Sequence, residues 1–185
     1  MKTTLTTVAL SLLLAVPAFA KDVAGVKYPE TATVEGKELK LNGVGLRKKV
    51  VFKVYTAGLY LETPSKDGAA IISSDQIKRV RMYMLRDLDK KTIVEAIGDG
   101  FKKNAGSKLA ELQPKLDTFN AAIPDVKSGD ELILTYIPGK GTQVSSKTGK
   151  EISVEGKDFS DALFSVFVGK NPVDGSLRDG MLGKD

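Results

Sequence analysis

The run VVFKVYTAGLYL at residues 50–61 most limits the folds open to this chain. Its residues are β-branched, aromatic or small, the composition of a strand. Read at the two-residue period of a strand, one face carries Val50, Phe52, Val54, Thr56, Gly58 and Tyr60. The other carries Val51, Lys53, Tyr55, Ala57, Leu59 and Leu61. Both faces are largely apolar, so the segment is expected to be covered on both sides for much of its length. Lys53 and Tyr55 stand out in such a setting. Either this strand is half exposed, or its polar tips converge on something that needs them.

The flanking segments supply the layers. TATVEG at 31–36 and ELKLNGVG at 38–45 read as short strands with a turn at Gly36. After a turn in TPSKDG, residues 77–86 alternate Val80, Met82 and Met84 against Arg79, Arg81 and Tyr83, a strand with one wet face. The spacing then becomes helical. Asp89 is placed as an N-cap, Ile93, Ile97 and Phe101 form the stripe, and Gly106 is the stop. Leu109, Leu112, Leu116, Phe119 and Ile123 continue that spacing, with Pro114 expected to kink the helix or restart it. Residues 131–156 read as strands joined by turns at Pro138–Gly141 and Thr148–Lys150. From Asp158, the residues Phe159, Ala162, Leu163, Val166 and Phe167 lie on one helical stripe, and the tail makes one more short turn or helix. Strands first, helices grouped in the middle, a hairpin and a closing helix predict an α+β fold, mainly antiparallel, with helices on one face.

The first twenty residues, MKTTLTTVALSLLLAVPAFA, pair an early lysine with a short apolar stretch and end on Ala18-Phe19-Ala20. That is the pattern of a signal peptide cleaved after Ala20, and no later segment approaches the ~20 apolar residues of a membrane span. Residues 21–185 are then expected to form one exported domain, of a size that buries roughly 70% of its chain surface. The chain has no cysteine, which suits a bacterial periplasm without a disulfide framework. Histidine and tryptophan are also absent. These gaps exclude Ser-His-Asp and Cys-His catalysis and any ordinary zinc or copper site; a metal site would need oxygen ligands alone, and the acids are not clustered at a calcium-loop spacing, so neither metal nor cofactor is expected. The net charge of +5 is spread along the chain with LRKK as its one dense cluster, which argues for a solvated surface rather than nucleic-acid binding.

Most motif matches are weak. KTG at 147–149 lacks a Ser-x-x-Lys partner, and GKGT at 139–142 lacks the spacing of a phosphate loop. Asp87 and Asp89 read as caps, Tyr60 and Tyr83 as core or sheet-face aromatics, and Lys53 as a snorkelling lysine. On composition alone, Arg47 is a solvated turn residue and Tyr55 a core aromatic with its hydroxyl at the sheet edge.

A resemblance raises the interest of that pair. GVGLRKKVVFKVYTAGLYLE is similar to the signature region of the chalcone isomerase-like superfamily, in which a glycine-rich strand, an arginine and a K-[FV]-x-x-x-G-[VL]-Y-L-E strand occur together. RMYMLRDLDKKTIVEAIGDGFKKN resembles the strand and helix of the exported bacterial members, and FSDALFSVFVGKNPVDGSLRDGMLG their C-terminal helix. The resemblance implies an open-faced β-sandwich, a large antiparallel sheet with a helical layer and a ligand cleft between. The arginine is present as Arg47. The enzymes' first threonine position holds Tyr55, as in the fatty-acid-binding relatives, where arginine and tyrosine hold a carboxylate. The positions of the enzymes' tyrosine, asparagine and late threonine fall near Asp89, Ala96 and Val166, none of which is the enzyme's residue.

The implied function is non-catalytic binding of a small amphipathic carboxylate such as a fatty acid in the periplasm, with Arg47 and Tyr55 as ligand-binding residues. A guanidinium matches a carboxylate in bidentate fashion, and a phenol supplies a third hydrogen bond. Val51, Ala57 and Leu59 would line the acyl path. The alternatives are an isomerase or intramolecular lyase, with Arg47 polarising an oxygen and Tyr55 donating a proton, and a structural or partner-binding envelope protein. On one continuous strand, Arg47 and Tyr55 would stand roughly 26 Å apart. Sharing a ligand requires the chain to reverse between them, around Arg47–Lys49.

Overall fold

The computed structural model describes residues 20–147 and 151–184. All of the expected leader but Ala20, and the turn at Thr148–Lys150, lie outside the described residues. Among the described residues, no helix is long and apolar enough to cross a membrane.

The chain opens with a hairpin, β1 (Ala20–Val23) and β2 (Val26–Pro29). A seven-stranded sheet follows, built in sequence order from β3 (Thr31–Val34), β4 (Lys37–Lys49), β5 (Phe52–Leu61), β6 (Lys78–Met84), β7 (Glu131–Ile137), β8 (Gly141–Ser146) and β9 (Ile152–Val154). Every neighbouring pair is antiparallel. Three helices are inserted between strands, α1 (Gly68–Ser73) before β6 and α2 (Lys90–Asn104) and α3 (Leu109–Ala122) before β7, while α4 (Lys157–Val168) and α5 (Gly175–Met181) follow β9. The fold is α+β, a large antiparallel sheet with its helical layer on one face, as the element order predicts.

Most of the run at 50–61 is the central strand β5, and from Val54 to Leu61 it is buried throughout. Tyr55, Ala57, Leu59 and Leu61 belong to the core shared with the helices. Tyr60 belongs to a second cluster on the opposite face, with Tyr28 of β2 and Leu39 and Val44 of β4. The β1–β2 hairpin therefore covers the sheet where the helices do not. The Tyr28 hydroxyl is 2.8 Å from Thr56 Oγ1, and the Tyr60 hydroxyl donates to the Pro29 carbonyl at 3.0 Å. Gly58 leaves room for this layer, because a Cβ there would come within 2.5 Å of the Tyr28 ring.

Several expectations need correction. Val50 and Val51 form the turn between β4 and β5 instead of starting a strand, and Val50, Val51 and Phe52 are exposed. The strand expected at 38–45 runs on to Lys49. The face of β6 read as wet is partly covered: Arg81 pairs with Glu131, donates to the Lys27 carbonyl at 3.1 Å and lies 4.9 Å from the Tyr28 ring centroid. Pro114 sits inside α3, which continues through it after a 3₁₀ turn at Gly106–Lys108. In α4, Ser160, Phe164 and Val168 are buried along with the expected stripe. This helix packs on α1, α2 and α3 as well as on the sheet, so it has little face left for water.

Candidate functional site

The β4–β5 hairpin sets Arg47 directly opposite Tyr55. The reversal comes at Val50–Val51, later than the expected Arg47–Lys49, and the separation of a continuous strand does not arise. The Arg47 guanidinium lies 5.5 Å from the centre of the Tyr55 ring. At the next residue of β4 the register slips: Lys48 faces Lys53, and Val54 is left over as a bulge. A bulge turns side chains that would otherwise alternate. Here it lets Val54 and Tyr55, neighbours in sequence, line the same cavity.

That cavity has a volume of about 300 Å³ and lies between the β4–β6 end of the sheet and helices α2 and α4. Its apolar wall includes Val54, Met82, Met84, Ile93, Ile97 and Phe167, all buried. Its rim is charged and exposed, with Lys49, Arg86, Asp87 and Asp89, and Arg47 is half-buried between wall and rim. A greasy interior with a few polar groups at one end is the usual form of a small-molecule site.

The charges at the rim divide into committed and uncommitted groups. Asp89 caps α2, accepting from the Thr92 backbone N–H at 2.7 Å, and its pKa is lowered by hydrogen bonds from Thr92. Asp87 is not a helix cap. It accepts from the Ser128 backbone N–H at 2.9 Å and from Lys127 at 3.0 Å, and these bonds lower its pKa. Among the described residues, no carboxylate lies within ion-pair distance of Arg47, Lys49 or Arg86. Burial raises the pKa of the Tyr55 phenol, partly opposed by the charge and hydrogen bonding of Arg47. The phenol is thus a neutral donor at ordinary pH.

Asp89, Ala96 and Val166, where the resemblance puts further residues of the isomerases, all line this cavity. They bring to it a helix-capping carboxylate, a methyl and an isopropyl group. The apolar path expected along Val51, Ala57 and Leu59 is not the one found. Val51 is exposed at the turn, and Ala57 and Leu59 are buried in the core away from the cavity. Met82, Met84, Ile93 and Ile97 take that place; their strand alternation and helical stripe were the available signal. Arg86 carries no such signal: it closes the segment expected as a strand at 77–86, whereas β6 ends at Met84. Lys53 is exposed beside the turn. Among the described residues no cluster of three or more acidic groups is placed to hold a metal ion.

Sheet, helical layer and cleft together define the class. The chain belongs to the chalcone isomerase-like family, whose model matches residues 20–183. Among solved structures, it is similar to the crystal structure of a fatty-acid binding protein from Arabidopsis thaliana, with a TM-score of 0.66 and 18% sequence identity. The match covers 89% of this chain and 95% of the other. At that identity the likeness carries the fold. No curated protein sequence matches the chain.

Proposed function

We propose that this protein is exported to the periplasm by a leader cleaved after Ala20, and that its domain, residues 21–185, binds a small amphipathic carboxylate such as a fatty acid without transforming it. The observation that carries this reading is Arg47, a half-buried guanidinium with no carboxylate partner among the described residues, standing beside the Tyr55 phenol at the edge of an apolar cavity. The ligand carboxylate takes the guanidinium fork, and the neutral phenol donates to it. Such charge-assisted bonds gain strength where water is excluded. The name of the Arabidopsis neighbour points to the same ligand class.

The test is native mass spectrometry of gently purified protein, followed by lipid extraction. The expected result is a co-purifying acyl carboxylate that is lost in Arg47→Ala, whose far-ultraviolet circular dichroism stays that of the wild type. An empty protein that converts α,β-unsaturated ketones, with Tyr55→Phe inactive, would overturn binding in favour of isomerase chemistry. An empty, inactive protein that also fails to take up added carboxylates would leave a structural role in the envelope.

A further inference from the structure

Among the described residues, the exposed large hydrophobics are three and they are consecutive: Val50 at 90%, Val51 at 78% and Phe52 at 59%. They form the tip of the β4–β5 hairpin. Lys48, Lys49, Lys53 and Arg86 surround them, and none of these cations has a carboxylate within ion-pair distance among the described residues. Arg86 lies over the Phe52 ring, 5.2 Å from its centre.

We propose that this tip docks the protein onto an anionic lipid bilayer, with Val50, Val51 and Phe52 entering the interface and the lysines meeting the headgroups. The proposal stands on the tip alone and does not require the ligand reading.

The tip is locally unfavourable in water. Val50 sits at φ 58, where a β-branched residue is strained and where a two-residue hairpin turn prefers glycine or asparagine. Lys48 is paired directly across from Lys53, a like-charge pair that weakens a hairpin. Apolar side chains at a turn gain nothing from solvent. A negatively charged membrane surface reverses the last two penalties together, because its field draws in lysines while its acyl boundary takes apolar side chains. Nucleic acid would match the charge and leave the valines in water. A second copy of the tip would match the valines and set the lysines against each other. The position of the tip adds a consequence: Lys49 and Arg86 belong also to the cavity rim, so the docked protein holds its cleft opening at the bilayer surface.

The experiment is vesicle co-sedimentation of the protein lacking residues 1–20, using vesicles of equal parts phosphatidylglycerol and phosphatidylcholine beside pure phosphatidylcholine. Wild type should partition onto the anionic vesicles at least tenfold more strongly than onto the neutral ones, and lose that advantage in high salt. Lys48→Gln/Lys53→Gln should weaken binding on the order of 25-fold, about fivefold per lysine. Val50→Asn/Val51→Ser/Phe52→Ser should weaken it at least tenfold. That variant should keep its fold, checked by circular dichroism, because asparagine tolerates the positive φ and none of these side chains is buried. The proposal is overturned if wild type ignores anionic vesicles. It is equally overturned if the apolar-tip variant binds them as well as wild type, or if the tip instead drives a concentration-dependent dimer by sedimentation velocity.

Discussion

Lys78 is a fully buried lysine in the middle of the fold. Its ammonium donates to the carbonyls of Ile71, Ile72 and Ser74 at 3.3, 2.9 and 3.1 Å, closing the open end of α1. The rings of Tyr136 and Phe164 lie 5.0 and 5.2 Å away, and Asp161, itself held by Lys157, is 3.8 Å distant. Burial outweighs these partners and pushes the pKa down to about 8. In the unfolded chain the same group keeps its proton to about pH 10.4. Between those values the unfolded state binds more protons, so stability rises with pH across the window from about 8 to 10. Above it the buried tyrosines act with the opposite sign, Tyr28 being pushed up to about 12 chiefly by burial. Denaturant midpoints measured between pH 7 and 10 should therefore climb above pH 8 in wild type. In Lys78→Met that climb should be absent, whatever the variant's stability at pH 7. Equal slopes in the two proteins would place the titration elsewhere.

The contact of α5 with β4 explains why LNGVGL carries its glycines. A Cβ on Gly45 would lie 2.1 Å from the Leu177 carbonyl oxygen, and one on Gly43 would lie 2.2 Å from that of Gly180. The helix rests on the strand backbone, and Asn42 at the neighbouring register shift donates to the Met181 carbonyl at 2.8 Å. Gly45→Ala should lower the unfolding free energy by about 1–3 kcal/mol, as overpacking does, in a urea titration. A neutral effect would mean that α5 can lift away freely. Such long-range reasons are invisible in a sequence, where these glycines show only as part of a family pattern. The alternation of β6 and the stripes of α2 and α4 were legible because each comes from burial on one face over several turns or residues. The six residues of α1 are too few for a period, and its ends are held by Asp67 and by Lys78 from the next strand. The β4–β5 reversal hid for a different reason: KKVVFK contains none of the residues that mark a turn. Arg47 and Tyr55 could be nominated from the sequence, but their adjacency depended on that unmarked turn.

Taken whole, the molecule sets a limit on what its cavity can take. At ~30 Å³ for a water-sized group, about 300 Å³ holds on the order of ten non-hydrogen atoms. If the carboxylate lies at Arg47, an eight-carbon chain fills the space, and a sixteen-carbon chain must either leave its end outside the cavity or move α2 away from the sheet. The hydrophobic contribution of about 0.8 kcal/mol per buried methylene should then accrue only until the wall is covered. Titration calorimetry over straight-chain carboxylates should show affinity rising about fourfold per added methylene up to eight or nine carbons and flattening beyond. A saturating eight-carbon ligand, at a hundredfold over its Kd, adds about 2.7 kcal/mol to stability, which for a domain of this size raises the Tm by roughly 5–10 °C. Arg47→Ala should keep the chain-length profile while losing about tenfold in affinity at every length, because the acid group loses its partner and the tail keeps its wall. A steady gain through sixteen carbons would show that the helical layer yields to the ligand and the cavity lengthens around it. A profile unchanged in slope but indifferent to Arg47 would move the acid group to Lys49 or Arg86, the other cations of the rim.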